Sequence, residues 1–417
     1  MTQYTIHAPE KLDATIQLPA SKSICNRMLI VQALAGGTEL PTNLSDCDDT
    51  SVLVKALQNR PEVMDVGAAG TAFRFLTAFL SVTRGTHTLT GTKRMLQRPI
   101  GVLVDALRRM GADITYLGQT GFPPLRITGQ PLVGGAIEMA GNVSSQYISA
   151  LLMIGPVLQK GLCLKLTGEI VSRPYIDLTI WCMNRFGARV EWTDIDTITV
   201  QPKPYTPVAA MVENDWSAAS YWYEMLALSA DKEGKVVLPG LNDGSRQGDS
   251  IGRYIGSLLG VKTVFGTSAD GRTQVTLTKY ACSLPQLEYD FVNAPDLAQT
   301  FVVTCAVKGI PFRFEGLASL RIKETDRIEA LKRELYKLGY VLHDRGDNEL
   351  YWDGERCEPT GEAIDTYEDH RMAMAFAPAA LCLGNIRINH PEVVSKSYPH
   401  YWDDLRSAGF RITETNE

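Results

Sequence analysis

One short pattern recurs six times along this chain, about every 75 residues from Gly85 onward after a shorter first interval, and no other feature constrains its fold as strongly. An apolar stretch of helical character is followed by Gly, a short strand, and then Gly, Asn or Pro. The copies read GTELPTN at Gly37, GTHTLTG at Gly85, GLCLKLTG at Gly161, GKVVLPG at Gly234, GIPFRFEG at Gly309 and GNIRINHP at Gly384. A fixed period of this kind marks one supersecondary unit used over and over. Between the copies runs a second pattern: a polar loop, an amphipathic helix, Gly, then two strands. QRPIGVLVDALRRMGADITYL, SRPYIDLTIWCMNRFGARVEW and TDRIEALKRELYKLGYVLH show it. In the last, Ile328, Leu331, Leu335 and Leu338 keep helical spacing. Gly111, Gly187, Gly260 and Gly339 stand where a helix-ending glycine belongs. Each unit therefore reads β-α-β-α-β-β, in an α/β fold.

The first helix of each unit is apolar nearly all round, as in SSQYISALLMIGPVLQ and DLAQTFVVTCAVK, and is expected to be buried. The second is amphipathic and lies nearer solvent. Six units divide into three plus three, with a boundary near Val212–Asp215 after the Pro-rich QPKPYTPVAA. The last unit runs out of chain: after Gly409 only FRITETNE remains. The amino-terminal YTIHAP and ATIQLPA supply what is missing. The expected domains are residues 20–213, and residues 1–19 with 214–417. Two crossings, near Ala20 and Glu213, favour a hinge with a cleft beside it.

Composition excludes several classes. The 417 residues carry a net charge of −6, which argues against a nucleic-acid binder. The opening MTQYTIHAPEKLD has no apolar run of the kind a secretory signal needs, and no stretch is long and apolar enough to span a bilayer. The eight cysteines form no CxxC pair. Cys163, Cys305 and Cys382 lie in apolar runs and are read as buried thiols of a cytoplasmic protein. There is no GxxxxGK[ST], no GxGxxG, no HExxH and no GxSxG, and the six histidines are scattered. Phosphoryl transfer on a P-loop, a dinucleotide site and a metal centre are unsupported.

Basic residues recur where loops turn into helices: Lys22 and Arg27, Arg74, Arg98, Lys323 and Arg327, Arg371, and Lys396. Helix N-termini and guanidinium groups both suit phosphate and carboxylate. Taken singly, each reads as a surface charge. Arg27, Arg74 and Arg371 head strongly apolar helices, where an unpaired charge is costly. Ser144, Ser145 and Gln146 open another such helix, either as caps or as a cradle for a phosphate or polyol. Asp296 and Glu324 read as a cap and a local ion pair, or as general acid/base groups among cations. Two multiply charged anions, held by loops from both halves, are the expected ligands.

These loops resemble the enolpyruvyl transferase family. The segments are LPASKSICNR (18–27), AGTAFR (69–74), QRPIG (97–101), GNVSSQ (141–146), VSRPYID (171–177), APDLA (294–298), IKETDR (322–327), DHRMAM (369–374) and SKSYP (395–399). The resemblance implies a two-domain inside-out α/β barrel of six such repeats, three per domain, with helices inside and sheets outside. It implies transfer of the enolpyruvyl group of phosphoenolpyruvate to the 5-hydroxyl of shikimate 3-phosphate through a tetrahedral intermediate, without metal or redox cofactor, in a monomer. Lys22, Gly70, Arg98, Gln146, Arg327, Arg371 and Lys396 would hold phosphoenolpyruvate. Lys22, Ser23, Arg27, Ser144, Ser145, Gln146, Ser172, Asp296, Ser319 and Lys323 would line the shikimate 3-phosphate site, with the first domain mainly on that side. Asp296 would take the proton of the 5-hydroxyl, and Glu324, with Lys22, would move the proton at C3. Two positions depart from the family pattern: Ala68 stands where Asn is usual, and Ser319 likewise. Two other readings are a non-catalytic anion-binding paralogue and the sister enzyme acting on UDP-N-acetylglucosamine. The loop GTKRMLQRP lacks the cysteine expected of the latter.

Overall fold

The protein was analysed as a computed structural model, which describes residues 2–268 and 271–416. It falls into two compact units, one of Ala20–Val212 and one of the chain up to Pro19 together with Glu213 onward. Each has its own apolar core.

In the Ala20–Val212 unit, two four-stranded sheets follow one plan. Val63–Asp65 pairs in parallel with Gly85–Thr90, across the buried helix Gly70–Val82. Leu125–Gly129 then pairs antiparallel to Gly85–Thr90 and carries Asp113–Tyr116 at the edge. Gly135–Ala140, Leu162–Thr167, Thr197–Val200 and Val190–Trp192 repeat this order around the helix Ser145–Ile154. Strand burial alternates, as in LCLKLT, so one face meets the helices and the other faces out. The first copy departs from expectation. GTELPTN forms no strand, only a parallel bridge between Thr42 and Met211. Pro41 has no N–H to offer a ladder, and Asn43 is left-handed (φ 54°).

The other unit repeats the plan with help from the amino terminus. Asp13–Thr15 pairs in parallel with Lys235–Pro239. Thr2–His7 lies between Asn385–Asn389 and Arg411–Asn416, antiparallel to both. That is the position Leu125–Gly129 takes in its own sheet. The helices Trp216–Leu228, Ala298–Lys308 and His370–Phe376 are the inner ones, and Ala298–Val307 is buried at every residue. Gly111, Gly187, Gly260 and Gly339 follow helix ends at φ 82–101°, where a Cβ would be strained.

Two of the cysteine expectations fail. Cys305 is buried, but Cys163 and Cys382 are exposed. Cys163 falls on the outward phase of its strand, and Cys382 lies on the four-residue helix Ala380–Leu383, of which only Ala380 is buried. No described helix is long and apolar enough to cross a membrane.

Candidate functional site

The second unit gathers its charged residues into one network. Arg327 opens the helix Arg327–Lys337, which Asp326 caps by accepting from the N–H groups of Ile328 and Glu329. Its side chain is 2% exposed and meets three carboxylates. Nε donates to Asp369 Oδ2 at 2.7 Å, Nη1 to Asp296 Oδ1 at 3.1 Å and Nη2 to Glu324 Oε2 at 3.0 Å. Arg371 Nη2 lies 3.1 Å from Asp296 Oδ2, and its Nη1 donates to the Asp296 carbonyl at 3.0 Å. Lys323 Nζ is 3.4 Å from Asp296 Oδ1, and Lys396 Nζ is 2.9 Å from Glu324 Oε1. Four cations (Lys323, Arg327, Arg371, Lys396) thus face three carboxylates (Asp296, Glu324, Asp369), a net charge of +1.

Burial alone would raise the pKa of Asp296, but Arg371, Lys323 and Arg327 hold it well below the usual carboxylate range. Asp249, also buried, goes the other way. Burial first, and then Asp296, push it up to about 6 against the pull of Arg371. The Ser217 hydroxyl donates to it. Asp296 is not a helix cap: it sits inside the turn Pro295–Leu297, one turn ahead of the buried helix. Ser319 is half-buried in the 3-10 turn Ala318–Ile322, four residues before Lys323, and makes none of these bonds.

In the first unit the partners are mostly neutral. Lys22, the first residue of the helix Lys22–Leu34, has Nζ 3.2 Å from Asp49 Oδ2. Arg27, one turn on, is buried. Its Nε donates to Thr179 Oγ1 at 2.7 Å, its Nη1 to the Ser23 carbonyl at 2.8 Å, and its Nη2 to Ser149 Oγ at 3.3 Å and the Tyr175 carbonyl at 3.2 Å. Burial pulls this guanidinium down to about 10. Gly70 opens the helix Gly70–Val82 beneath two more guanidiniums. A Cβ there would lie 2.5 Å from Arg98 Nη1 and 2.7 Å from Arg74 Nη1, so any larger residue would push these two guanidinium groups aside. Arg74 Nη1 donates to the Gly70 carbonyl at 3.0 Å. Gln146 Nε2 donates to Thr71 Oγ1 at 3.0 Å, which ties the two helix starts together. Ser144 is the N-cap, accepting from Gln146 N at 3.3 Å, and Ser145 is the first helical residue. Ser172 heads the helix Arg173–Arg185 in a left-handed conformation (φ 55°). Ala68 is exposed on the turn before Gly70.

Sequence reasoning did not single out Asp49, Asp249 or Asp369. Asp369 reads as a helix cap before His370 and Arg371, and it does accept from Arg371 N at 2.9 Å. Its second use, on Arg327, is a contact across 42 positions that no local pattern reveals. Away from both clusters, His343, Asp353 and Glu355 bring ligand-type atoms within 4.8 Å of one another. His343 Nε2 there already lies 2.7 Å from Glu355 Oε2.

Comparison with known proteins follows the same segments. The family model described as EPSP synthase (3-phosphoshikimate 1-carboxyvinyltransferase) matches residues 6–60 and 54–405. A protein of that name from Bacteroides fragilis is 60% identical over 411 residues, covering 98% of each chain. Another, from Shewanella halifaxensis, is 35% identical, covering 98% of this chain and 99% of its own. The crystal structure of EPSP synthase from Acinetobacter baumannii superposes with a TM-score of 0.79 at 22% identity, over the whole of both chains. The enolpyruvyl transferase NikO from Streptomyces tendae has the same fold, with a TM-score of 0.75 at 17% identity, over all of this chain and 99% of its own.

Proposed function

The chain belongs to the EPSP synthase (3-phosphoshikimate 1-carboxyvinyltransferase) family, and we infer that it transfers the enolpyruvyl group of phosphoenolpyruvate to the 5-hydroxyl of shikimate 3-phosphate. Phosphate is released, and the product feeds aromatic amino-acid biosynthesis. The observation that carries this reading is the network of four cations around Asp296 and Glu324. A surplus of fixed cations suits a multiply anionic substrate. Two carboxylates placed among those cations suit the proton transfers. The UDP-N-acetylglucosamine and non-catalytic readings are not favoured.

Asp296 and Glu324 occupy the cations. Lys396 and Arg327 grip Glu324, while Arg371, Arg327 and Lys323 grip Asp296. So held, Asp296 is a poor base. The phosphate and carboxylate of phosphoenolpyruvate would draw Arg327, Arg371 and Lys396 toward themselves. Asp296 would lose stabilisation, its pKa would rise, and it would become able to take the 5-hydroxyl proton as oxygen adds to C2. Glu324, released by Arg327 and Lys396 and having taken a proton from solvent, would deliver that proton to C3. Collapse of the tetrahedral adduct reverses the C3 transfer and expels phosphate.

Residues of the first unit complete the binding set: Lys22, Gly70, Arg98 and Gln146 for phosphoenolpyruvate, and Ser23, Arg27, Ser144, Ser145 and Ser172 for shikimate 3-phosphate. The second unit adds Ser319 and Lys323 to the latter. This chemistry asks residues of both units to bear on one pair of substrates, so we propose an active site that both build, in a cytoplasmic monomer. The test is phosphate release on mixing the purified chain with both substrates. Release that needs both supports the reading; binding of both without release overturns it.

A further inference from the structure

Asp369 and Arg371 stand at the end of a loop whose backbone is strained. Tyr367 and Glu368 are successive non-glycine residues in the left-handed region, with φ 53° and 56°. Such a pair persists only where its surroundings hold it. Both ends of the loop are tied to one helix, Arg327–Lys337. At the far end, Arg327 bonds Asp369. At the near end stands Glu334, seven residues and two helical turns later on the same face.

Glu334 is wholly buried, and its carboxylate is filled by donors. The Tyr367 hydroxyl donates to Oε1 at 2.6 Å, and the Asp365 N–H to Oε2 at 3.0 Å. Lys337 Nζ lies 2.8 Å from Glu334 Oε2 and 2.8 Å from Asp365 Oδ2. Asn389 Nδ2 holds the other Asp365 oxygen at 2.8 Å. Burial, and then the Glu334 bond, push the Tyr367 phenol above its ordinary pKa, so it stays a donor. The loop is therefore pinned on both sides of its strained pair, and the second pin, Asp369, both grips Arg327 and caps Arg371.

We propose that Glu334 is a positioning residue for phosphoenolpyruvate: it holds the strained Tyr367–Glu368 turn, and through that turn it sets where Arg371 presents its guanidinium. This rests on the functional reading above, in which Arg371 binds phosphoenolpyruvate. Glu334→Gln turns an N–H group toward donors it cannot satisfy, and the loop relaxes.

Steady-state phosphate release, with each substrate varied in turn, tests it. For Glu334→Gln, KM for phosphoenolpyruvate should rise about 10-fold, as expected for one lost charge-assisted bond, while KM for shikimate 3-phosphate stays within about 2-fold. Tyr367→Phe should move the same constant in the same direction by less. Glu368→Asn should keep wild-type constants, because Asn takes the left-handed conformation readily. Unchanged KM for phosphoenolpyruvate in folded Glu334→Gln, with only a lower Tm, overturns the proposal. So does a parallel rise for both substrates. If Glu334→Gln does not fold, Tyr367→Phe decides by the same criterion. No phosphate release by the wild-type chain overturns the functional reading, and this inference with it.

Discussion

Arg27 and Arg327 are each 2% exposed, yet the protein neutralises them in opposite ways. Arg27 is bonded by hydroxyls and carbonyls alone, across three helices of the first unit. Arg327 is bonded by Asp369, Asp296 and Glu324. Burial lowers the pKa of Arg27 to about 10. It would lower Arg327 too, but Asp369, Glu324 and Asp296 more than reverse it. Neutral oxygens fix a guanidinium in place and leave its charge uncompensated, so it projects a standing positive field. Carboxylates hold a guanidinium reversibly, since an incoming anion can replace them. The first unit is thus built to attract, and the second to exchange partners as chemistry proceeds.

The largest effect should come from the exchangeable carboxylates. Glu324→Gln and Asp296→Asn should each lower kcat by about 10²–10⁴-fold, with KM values changing far less, in the phosphate-release assay. Near-normal turnover in either variant removes that residue from its role. A matched change in the first unit, Thr179→Val beside Arg27, deletes the hydroxyl's bonds to Arg27 Nε, Ser149 Oγ and the Tyr175 carbonyl but removes no carboxylate, and should lower kcat by less than about 10-fold.

Stability should separate the two arginines next. Arg327→Ala removes the cation that three carboxylates share: Asp296 keeps Arg371 and Lys323, and Glu324 keeps Lys396, but the wholly buried Asp369 loses its guanidinium. It should cost about 3–5 kcal/mol. Arg27→Met keeps the volume and strands only hydroxyls and carbonyls, some of which bond one another, as Ser149 and Thr179 do at 2.8 Å. It should cost about 1–3 kcal/mol. Denaturant midpoints of the two variants compare them directly, and equal losses would break the distinction.

How much of this was legible beforehand differs by level. The repeat was visible because helix-ending glycines and apolar helices are local signals, and the sheets built on five of the six copies follow them. The sixth failed for a local reason, Pro41 and Asn43, that the glycine pattern concealed. Most of the cations could be found because they sit beside a helix start; Lys396 instead ends the turn Pro391–Lys396. Their partners could not. Asp369 pairs with a residue 42 positions away, and Asp49 with one 27 positions away (49 − 22). Asp369 carries the local signature of an ordinary helix cap and Asp49 that of an acidic residue in a first helical turn, so nothing in the sequence separates their two uses. Cys163 and Cys382 were misplaced because an apolar run does not say which phase of a strand, or which side of a four-residue helix, faces out.

The two departures from the family pattern offer a finer comparison, one in each unit. Ala68 precedes the Gly70 helix start of the first unit, and Ser319 precedes Lys323 in the second. Restoring an amide should add one hydrogen bond, about 1–2 kcal/mol or about 5- to 30-fold in affinity. Ala68→Asn should lower KM for phosphoenolpyruvate, and Ser319→Asn should lower KM for shikimate 3-phosphate, each without the other. If both variants move the same constant, the two positions do not serve different substrates.

The smallest effect concerns a carboxyl with no cation at all. Glu224 is fully buried on the inner helix Trp216–Leu228, and burial pushes its pKa well above the ordinary 4.5. Neither carboxyl oxygen has a hydrogen-bond partner among the described residues, and the Thr304 hydroxyl donates instead to the Thr300 carbonyl at 2.7 Å. Below pH 4.5 the group is neutral whether the chain is folded or unfolded, and it costs nothing. As pH rises past 4.5, the unfolded chain ionises and is stabilised while the folded one stays neutral. Stability is therefore lost progressively upward from 4.5 toward the raised folded value. Glu224→Gln removes that loss. It should raise Tm at pH 8 by about 2–4 °C for each kcal/mol regained and leave it unchanged near pH 4. Asp296, held by cations well below the usual carboxylate range, carries the opposite arrangement in the same unit. A Glu224→Gln gain that did not depend on pH would mean that the buried carboxyl is held in some other way than by losing its charge.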